Sequence, residues 1–189
     1  MRIISGKAKG TKLYTLEGDN TRPTLDRVKE SIFNIIQTEI EDSTILDLFA
    51  GSGAIGLEML SRGAKKAVLC DKSKDAIKII KKNIEKTHME QKVELYNTDF
   101  KDCIKKLEKE KFDIIYIDPP YETEFILQSL KLIIEKNIIK ENGIIILETD
   151  DEPRILKEIE EVNVTIIDKR KYGRANIIFL NKKTWNRKG

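Results

Sequence analysis

Short apolar runs alternate with amphipathic helical patterns through the middle of the chain. Five runs rich in β-branched residues predict strands, at 44–49, 66–70, 92–96, 112–117 and 143–148. Helical patterns separate them, and one repeats Ile77, Ile80 and Ile84 along a single face. Strands that alternate with helices of this length predict a parallel sheet covered on both faces, which is a doubly wound α/β fold.

Both flanks depart from this alternation. Residues 2–16 predict two short strands separated by Gly6 and Gly10, and a helix is predicted to follow from Pro23 or Thr24. Near the other end, 164–182 predicts a closing antiparallel hairpin at the edge of the sheet. We therefore expect a small N-terminal extension, made of a hairpin and a helix, beside one α/β domain.

Length and composition fit that division. The chain has 189 residues, 40% of them hydrophobic and 35% charged, and we assign 1–40 to the extension and 41–189 to the main domain. Apolar runs stay below the roughly 18 residues of a membrane span, and the N-terminus lacks a signal-peptide core. We expect a soluble, cytoplasmic monomer without a membrane partner.

The cysteines argue against a disulfide framework and against a zinc site. The chain has two, Cys70 and Cys103, which form no CxxC pair and have no histidine cluster near them. We expect both to be buried, reduced thiols, and we expect no bound metal.

Charge is distributed unevenly, although the formal net charge is only +3. Residues 1–29 hold seven basic and three acidic side chains, 168–189 hold eight and one, and the segment between them carries −8. Basic ends around an acidic centre are typical of a protein that holds a polyanion at the periphery of a pocket. Ordinary solvated lysines would give the same totals, so charge alone does not distinguish a polyanion-binding surface from an ordinary solvated one.

Acidic residues follow four successive predicted strands, close to where each strand ends. They are Asp47, Asp71, Asp99 and Asp118. The carboxyl ends of parallel strands share one edge of a sheet, and ligands bind there near the topological switch point. A single strand-end aspartate is most often a turn or helix cap. Four in succession predict one acid-lined crevice.

A glycine-rich segment, DLFAGSGAIGLE at 47–58, connects the first predicted strand to the next helix. Gly51, Gly53 and Gly56 have the GxGxxG spacing, in which glycine allows positive φ and close approach of a ligand. Asp71 lies 20 residues after Gly51, the distance at which an acid binds ribose hydroxyls in nucleotide-binding folds. The pair predicts an adenosine-type ligand.

Neighbouring charges narrow the choice of that ligand. Gly56 is followed by Leu57 and Glu58, and not by the Lys and Ser or Thr of a P-loop, which argues against a nucleoside triphosphate. Asp47 and the acidic centre would repel the pyrophosphate of NAD. S-adenosylmethionine carries a sulfonium and an ammonium group with only one carboxylate. The sequence therefore favours it as cofactor, with S-adenosylhomocysteine as the product.

The segment YIDPPY, at 116–121, places an acid and two prolines directly after the fourth predicted strand. An exocyclic amine of a nucleobase is a poor nucleophile because its lone pair is delocalised into the ring. Asp118 can accept one N–H of such an amine and the Pro119 carbonyl the other, which aims the lone pair at a methyl donor. Pro120 stiffens the loop, and Tyr121 offers a ring for base stacking. A plain turn remains the alternative.

These segments resemble the class I S-adenosylmethionine-dependent methyltransferases that act on exocyclic amines. More narrowly, the chain is similar to the bacterial 16S ribosomal RNA guanine-N2 methyltransferase family (RsmD) from residue 2 to about 181. The segments that carry this resemblance are RIISGKAKGTKL, TRPTLDRVKESIFNII, the glycine-rich segment and DPPY. It implies a Rossmann-like, mostly parallel seven-stranded sheet. It also implies methylation of one guanine N2 in 16S rRNA, within the small ribosomal subunit or an assembly intermediate.

The resemblance also implies roles for individual residues. Asp71, with Lys72, would bind the ribose, and Asp99, with Phe100, the adenine. The methionine part would lie against a loop that comprises Asp47, Phe49, Ala50, Gly51, Ser52 and Gly53. A segment that would close over the cofactor comprises Thr21, Arg22, Pro23 and Thr24. The residues assigned to RNA are Arg2, Lys7, Lys9, Arg22, Arg27, Tyr121 and Arg174.

Three other functions remain open on the sequence. A DNA adenine-N6 methyltransferase would share the pocket chemistry, but it usually needs a target-recognition domain for which 189 residues leave no room. A nicotinamide-dependent oxidoreductase would need a Tyr-Lys or His pair at the hydride site, and none is evident. A catalytically silent RNA-binding protein would not need the DPPY segment.

Overall fold

A seven-stranded mixed sheet forms the centre of the computed structural model, which describes residues 1–16, 23–120 and 124–183 and, of residues 23–27, only the backbone. The strands are β1 (Thr44–Asp47), β2 (Lys66–Asp71), β3 (Val93–Asn97), β4 (Phe112–Ile117), β5 (Ile139–Thr149), β6 (Val164–Tyr172) and β7 (Ala175–Lys182). Strands β1 to β5 run parallel, and β7 is antiparallel to both β5 and β6. The α/β fold and the closing hairpin predicted from the sequence are confirmed.

The order of the strands across the sheet is β3-β2-β1-β4-β5-β7-β6. Chain order reverses between β1 and β4, so their carboxyl ends flank the topological switch point at which open sheets bind ligands. Register aligns Asp47 on β1 with Tyr116 on β4, and Ile117 on β4 with Leu147 on β5. The residues that end these strands therefore lie side by side.

Helices cover both faces of the sheet. They are α1 (Pro23–Ile35), α2 (Gln37–Ile40), α3 (Ala54–Ser61), α4 (Lys74–Thr87), α5 (Phe100–Lys106), α6 (Phe125–Glu135) and α7 (Glu152–Ile159). One apolar core joins the sheet to α1, α3 and α4 and includes Phe33, Leu57 and Ile80. The other joins it to α5, α6 and α7 and includes Leu130 and Ile155.

Cys70 and Cys103 are both buried and free, as predicted. Within the described ranges, no three His, Cys, Asp or Glu side chains cluster so that they could hold a metal ion. A search of the same ranges finds no helix with the length and apolar character to cross a membrane.

The two strands predicted in residues 2–16 are shorter than expected: they form a brief antiparallel pairing in which the N–H of Ile3 donates to the carbonyl of Thr11 and the N–H of Leu13 to the carbonyl of Met1, both at 3.0 Å. This N-terminal segment, residues 1–16, contains one antiparallel bridge, between Arg2 and Lys12, and turns in place of extended strands. The reason lies in its hydrogen bonds. The N–H groups of Ile4 and Ser5 donate to the carboxylate of Glu58 on α3, at 2.7 and 3.0 Å, and so are not available for a strand ladder.

Buried polar groups of α3 hold the N-terminal segment in place. Glu58 is fully buried, and its Oε1 lies 2.8 Å from Nε of Arg62, whose guanidinium lies 4.7 Å from the centre of the Phe33 ring. At the far end of α3, the N–H of Lys7 donates to the carbonyl of Ser61 at 2.8 Å. Because a buried carboxylate needs partners, this arrangement fixes the segment against the C-terminal half of α3.

Strand β5 begins before its predicted start at Gly143. Its first residue, Ile139, pairs with Phe112, and the register then shifts so that Ile114 pairs with Ile144. Such an irregularity accommodates extra residues in one strand, which lets the polar stretch before Gly143 remain part of it.

Helix α7 was not predicted. Its start has two signals that the sequence offers, which are Asp151 before the first turn and Pro153 within it. The Asp151 side chain accepts a hydrogen bond from the N–H of Arg154 at 3.3 Å, which is a conventional cap.

Candidate active site

A cavity of about 1020 Å³ opens at the carboxyl edge of the sheet, over the switch point. All four strand-end acids line it, namely Asp47, Asp71, Asp99 and Asp118. The parallel strands end at the same edge of the sheet, which brings these residues together although up to 71 positions separate them in the chain. The structure thus forms the single acid-lined crevice that the sequence predicts.

Most of the other predicted cofactor and catalytic residues border the same cavity. Those that line it are Phe49, Ala50, Gly51, Ser52, Lys72, Phe100, Pro119 and Pro120. Gly53 lies directly behind them as the N-cap of α3. Thr21, Arg22 and Tyr121 fall outside the described residues, and Pro23, Thr24 and Arg27 are described only as backbone of α1.

Among the residues assigned to RNA, those whose side chains the structure describes, namely Arg2, Lys7, Lys9 and Arg174, do not line the cavity. Arg2 is exposed and follows Met1, which does line it, and Arg174 is exposed in the turn between β6 and β7. Lys7 and Lys9 are exposed beside the C-terminal end of α3. Since α3 starts at the cavity and has eight residues, its axis separates the lysines from the cavity by about 12 Å.

Backbone conformations that favour glycine shape the turn after β1. Gly51 and Gly53 have φ of +54° and +78°, in the left-handed region. At Gly56, an added Cβ would lie 2.3 Å from Cδ2 of Leu69, so a larger residue would displace this buried side chain where α3 packs on β2. The turn is also held from α4, where the buried Asn83 donates to the carbonyl of Ser52 at 2.8 Å.

Asp71 is fixed by two backbone groups of the cavity wall. Its Oδ2 accepts the N–H of Gly51 and its Oδ1 accepts the N–H of Ser73, both at 2.8 Å. Each carboxylate oxygen has a second lone pair, which leaves capacity for two hydroxyl donors. This geometry fits a ribose diol.

Asp99 and three aromatic rings form a neighbouring wall. Asp99 caps α5 through the N–H of Lys101 at 2.9 Å, so the capping role considered for the sequence is present in the structure. The rings of Phe49, Phe100 and Phe125 pack with centroids 5.2 to 6.2 Å apart. Apolar faces beside a hydrogen-bonding acid fit a purine base.

Asp47 is the most deeply buried acid of the cavity, with an exposed fraction of 2%. Its Oδ1 has no hydrogen-bond partner among the described residues. Burial raises its pKa from 3.8 to about 7, and the negative charge of Asp71 adds to this rise, whereas backbone N–H groups of Phe49 and Gly56 lower it. A buried carboxylate with an unpaired oxygen fits a cationic ligand group such as the ammonium of S-adenosylmethionine.

Tyr116 and Glu148 complete the cavity and were not predicted. The Tyr116 hydroxyl donates to Oε2 of Glu148 at 2.6 Å, and both side chains line the cavity. Burial raises the pKa of Tyr116 well above its usual value, as do the charges of Glu148 and Asp118. Burial also raises the pKa of Glu148. A signal existed in the sequence, because Glu148 follows the apolar run of β5 as the four aspartates follow theirs.

The DPP loop leaves β4 at the same edge. Asp118 is exposed, Pro119 is buried and Pro120 is exposed, so the acid faces the open cavity while the first proline packs beneath it. The acid and the first proline of this loop therefore both border the cavity.

Comparison with known proteins identifies the family. A family model described as Conserved hypothetical protein 95 matches residues 1–181. The chain belongs to this family. Its members are therefore the proteins with which this chain and its cavity are compared.

Relatives carry names that agree with the family resemblance predicted from the sequence, which is confirmed. "Putative rRNA methyltransferase YlbH" of Bacillus subtilis is 35% identical over 185 residues, 97% of this chain and 100% of the relative. "Ribosomal RNA small subunit methyltransferase D" of Haemophilus influenzae is 38% identical over 180 residues, 91% of this chain and 93% of the relative. A solved structure, "Putative methyltransferase yhhF from Escherichia coli", superposes with a TM-score of 0.83 at 27% identity, over 97% and 98% of the two chains.

Replacement of Asp71 by alanine is expected to weaken binding of S-adenosylhomocysteine by about 1–3 kcal/mol, because hydrogen bonds to a charged acceptor are lost. The Gly51 N–H would lose its acceptor as well. Isothermal titration calorimetry measures the effect. Asp75→Ala is the matched control, since Asp75 is an exposed acid whose carboxylate pairs with Lys78. Equal affinities of the two variants would contradict the role of Asp71.

Binding of S-adenosylhomocysteine is expected to weaken as pH falls from 8 to 6. The pKa of Asp47 is raised to about 7, so the carboxylate that would attract the ligand ammonium becomes neutral across this interval. The same shift means that Asp47 stabilises the unliganded fold below about pH 4 and that this contribution is lost as pH rises through 7. Calorimetry at several pH values tests the first statement, and Asp47→Asn should bind with a flatter pH profile.

Proposed function

We propose that this protein transfers a methyl group from S-adenosylmethionine to the exocyclic N2 amine of a guanine in 16S ribosomal RNA of the small ribosomal subunit. One observation carries the proposal. The glycine turn, the four strand-end acids and the DPP loop all border a single cavity at the switch point of the sheet. Family membership and the names of the relatives support the substrate class.

The cavity walls suit the parts of the cofactor. Asp71 binds the ribose hydroxyls, Asp99 and the ring of Phe100 bind the adenine, and Asp47 with the Gly51 turn binds the amino-acid end. When bound, S-adenosylmethionine supplies an electrophilic methyl group on its sulfonium. The acids of the wall outnumber Lys72, the one basic side chain among its described residues, which favours binding of this positively charged group.

The DPP loop orients the nucleophile. Asp118 accepts one N–H of the amine and the carbonyl of Pro119 accepts the other, so that the nitrogen becomes pyramidal and its lone pair faces the methyl group. The nitrogen becomes strongly acidic once methylated, and its proton passes late to Asp118 or to water. Orientation is therefore the larger contribution of Asp118.

Residues 1–40 act in this proposal as an extension that contacts RNA and closes over the cofactor, and 41–189 as the catalytic domain. The N-terminal segment supports this division because Met1 and Leu16 both border the cavity. Its exposed basic residues, Arg2, Lys7 and Lys9, then face phosphates.

Transfer of a labelled methyl group to small subunits that lack their own modification tests the proposal. Nucleoside analysis of the product should find N2-methylguanosine in 16S rRNA. Label on an adenine N6 would support the adenine alternative instead. Calorimetry separates the guanine and adenine methyltransferases from an oxidoreductase. A methyltransferase is expected to bind S-adenosylhomocysteine and not NADH.

Binding of the RNA substrate is expected to fall steeply as salt rises, since phosphate contacts release counterions. Lys7→Gln combined with Lys9→Gln should reduce the slope of log K against log salt by about 1–2. The matched control replaces two exposed lysines on the opposite face of the sheet, Lys109 and Lys157. Filter binding across a salt series measures the slopes, and identical slopes for the two double variants would remove Lys7 and Lys9 from the interface.

A further inference from the structure

Glu148 occupies a position beside Asp118 that the proposed chemistry has not used. Ile117 of β4 pairs with Leu147 of β5, so the next residues, Asp118 and Glu148, leave neighbouring strands at equivalent positions. Paired parallel strands lie about 4.8 Å apart. Since side chains alternate along a strand, Asp118 and Glu148 lie on the same face as Tyr116, and all three border the cavity.

The Glu148 carboxylate is oriented before any ligand binds. Its Oε2 accepts the hydroxyl of Tyr116 at 2.6 Å, and Tyr116 is only 4% exposed. Within the part of the chain that the structure describes, no hydrogen bond reaches Oε1. A carboxylate that lines a cavity and has one oxygen fixed by a buried hydroxyl is suited to accept a hydrogen bond in a defined direction.

Purines differ at the ring atom nearest to this acceptor. In guanine, the N2 amine lies between the N1–H donor and the acceptor N3, whereas the ring nitrogen N1 beside the N6 amine of adenine is an acceptor. If Asp118 and Pro119 hold the amine and the N1 side of the base faces β5, the Glu148 carboxylate meets the N1 position. A carboxylate oxygen accepts a hydrogen bond from N1–H. Opposite an unprotonated N1, the same oxygen has no donor and is repelled by the lone pair of the nitrogen.

We propose that Oε1 of Glu148 accepts the N1–H of the target guanine and so selects guanine over purines with an unprotonated N1. This inference rests on the proposed function, because it assumes that the amine enters between Asp118 and Pro119. It adds a specificity-determining residue, with Tyr116 as the residue that positions it.

The probes are guanosine 5′-monophosphate and 2-aminopurine riboside 5′-monophosphate, which share the N2 amine but differ in protonation of N1. Each is titrated by NMR into protein saturated with S-adenosylhomocysteine. The wild-type protein should prefer guanosine monophosphate by about tenfold or more. Glu148→Gln should reduce this preference at least to parity, because the amide NH₂ can donate to the unprotonated N1 while the amide oxygen still accepts from Tyr116.

Glu141→Gln is the matched control, since Glu141 is an exposed glutamate of the same strand. It should retain the wild-type preference, and all three proteins should bind S-adenosylhomocysteine equally. A wild-type protein that binds both nucleotides equally, or that binds guanosine monophosphate not at all at millimolar concentration, would overturn the role of Glu148. So would a Glu148→Gln protein that keeps the wild-type preference.

Methyl transfer by the wild-type protein separates this inference from the proposed function. N2-methylguanosine in 16S rRNA together with equal nucleotide affinities would remove only Glu148 from base selection. Absence of any transfer to small-subunit RNA would contradict the proposed function itself, whatever the nucleotide affinities.

Discussion

The Asp118→Ala protein is expected to lose methyl transfer by at least about 10²–10³-fold in kcat, the cost of removing one group that stabilises a transition state. Binding of S-adenosylhomocysteine should stay within a few-fold of wild type, because Asp118 belongs to the loop after β4 and is proposed to face the amine. Its side chain is exposed, so the fold should tolerate its removal. Single-turnover transfer of labelled methyl to small subunits measures the loss.

Asp118→Asn distinguishes orientation from proton removal. Asparagine keeps one carbonyl oxygen as an acceptor but cannot take a proton. If orientation dominates, this variant should retain clearly more activity than Asp118→Ala. Asp102→Ala, which removes an exposed acid of α5 paired with Lys105, is the control for charge. Unchanged turnover in Asp118→Ala would exclude the proposed role of this residue.

Replacement of Gly6 by alanine is expected to be the most destabilising single change in the N-terminal segment. Gly6 has φ of +81°, and an added Cβ would lie 1.8 Å from the carbonyl oxygen of Ser61. Backbone atoms cannot yield as a flexible side chain can, so the segment must lift from the end of α3. The N–H of Lys7 then loses its acceptor, the carbonyl of Ser61.

Gly10→Ala is the matched comparison. Gly10 has a similar φ of +86°, but no atom lies within 4 Å of an added Cβ. Both variants carry the strain of positive φ, about 1–2 kcal/mol, and only Gly6→Ala adds the clash and the lost hydrogen bonds. Its free energy of unfolding should be lower by roughly a further 2–4 kcal/mol. Chemical denaturation measures both, and equal values would show that the contact with α3 contributes little.

The sheet could be predicted from the sequence because its determinants are local. Apolar runs of five or six residues, such as 112–117, form strands wherever both faces are covered, and the intervening helices impose parallel connections. The crevice followed from the same reasoning. Asp47 and Asp118 follow parallel strands, and the carboxyl ends of parallel strands share one edge of the sheet whatever their separation along the chain.

The features that sequence reasoning missed depend on side-chain partners distant in the chain. The hairpin predicted in residues 2–16 ends after Ile3, and only the buried carboxylate of Glu58, 54 positions after Ile4, explains why the N–H groups of Ile4 and Ser5 bond elsewhere. Tyr116 was counted as part of an apolar strand. Its hydroxyl and Glu148 form a pair only because β4 and β5 are adjacent, which strand patterns alone do not fix.

The separation between Lys7 and the cavity sets a minimum size for a natural substrate. An RNA that reaches both places must present a phosphate about 12 Å from the base that enters the cavity, the length of α3. A free base or a nucleoside has no phosphate that could reach Lys7, so contact with both places requires a longer RNA. The rate of methyl transfer should therefore rise with the length of the RNA offered until the RNA reaches both the cavity and Lys7.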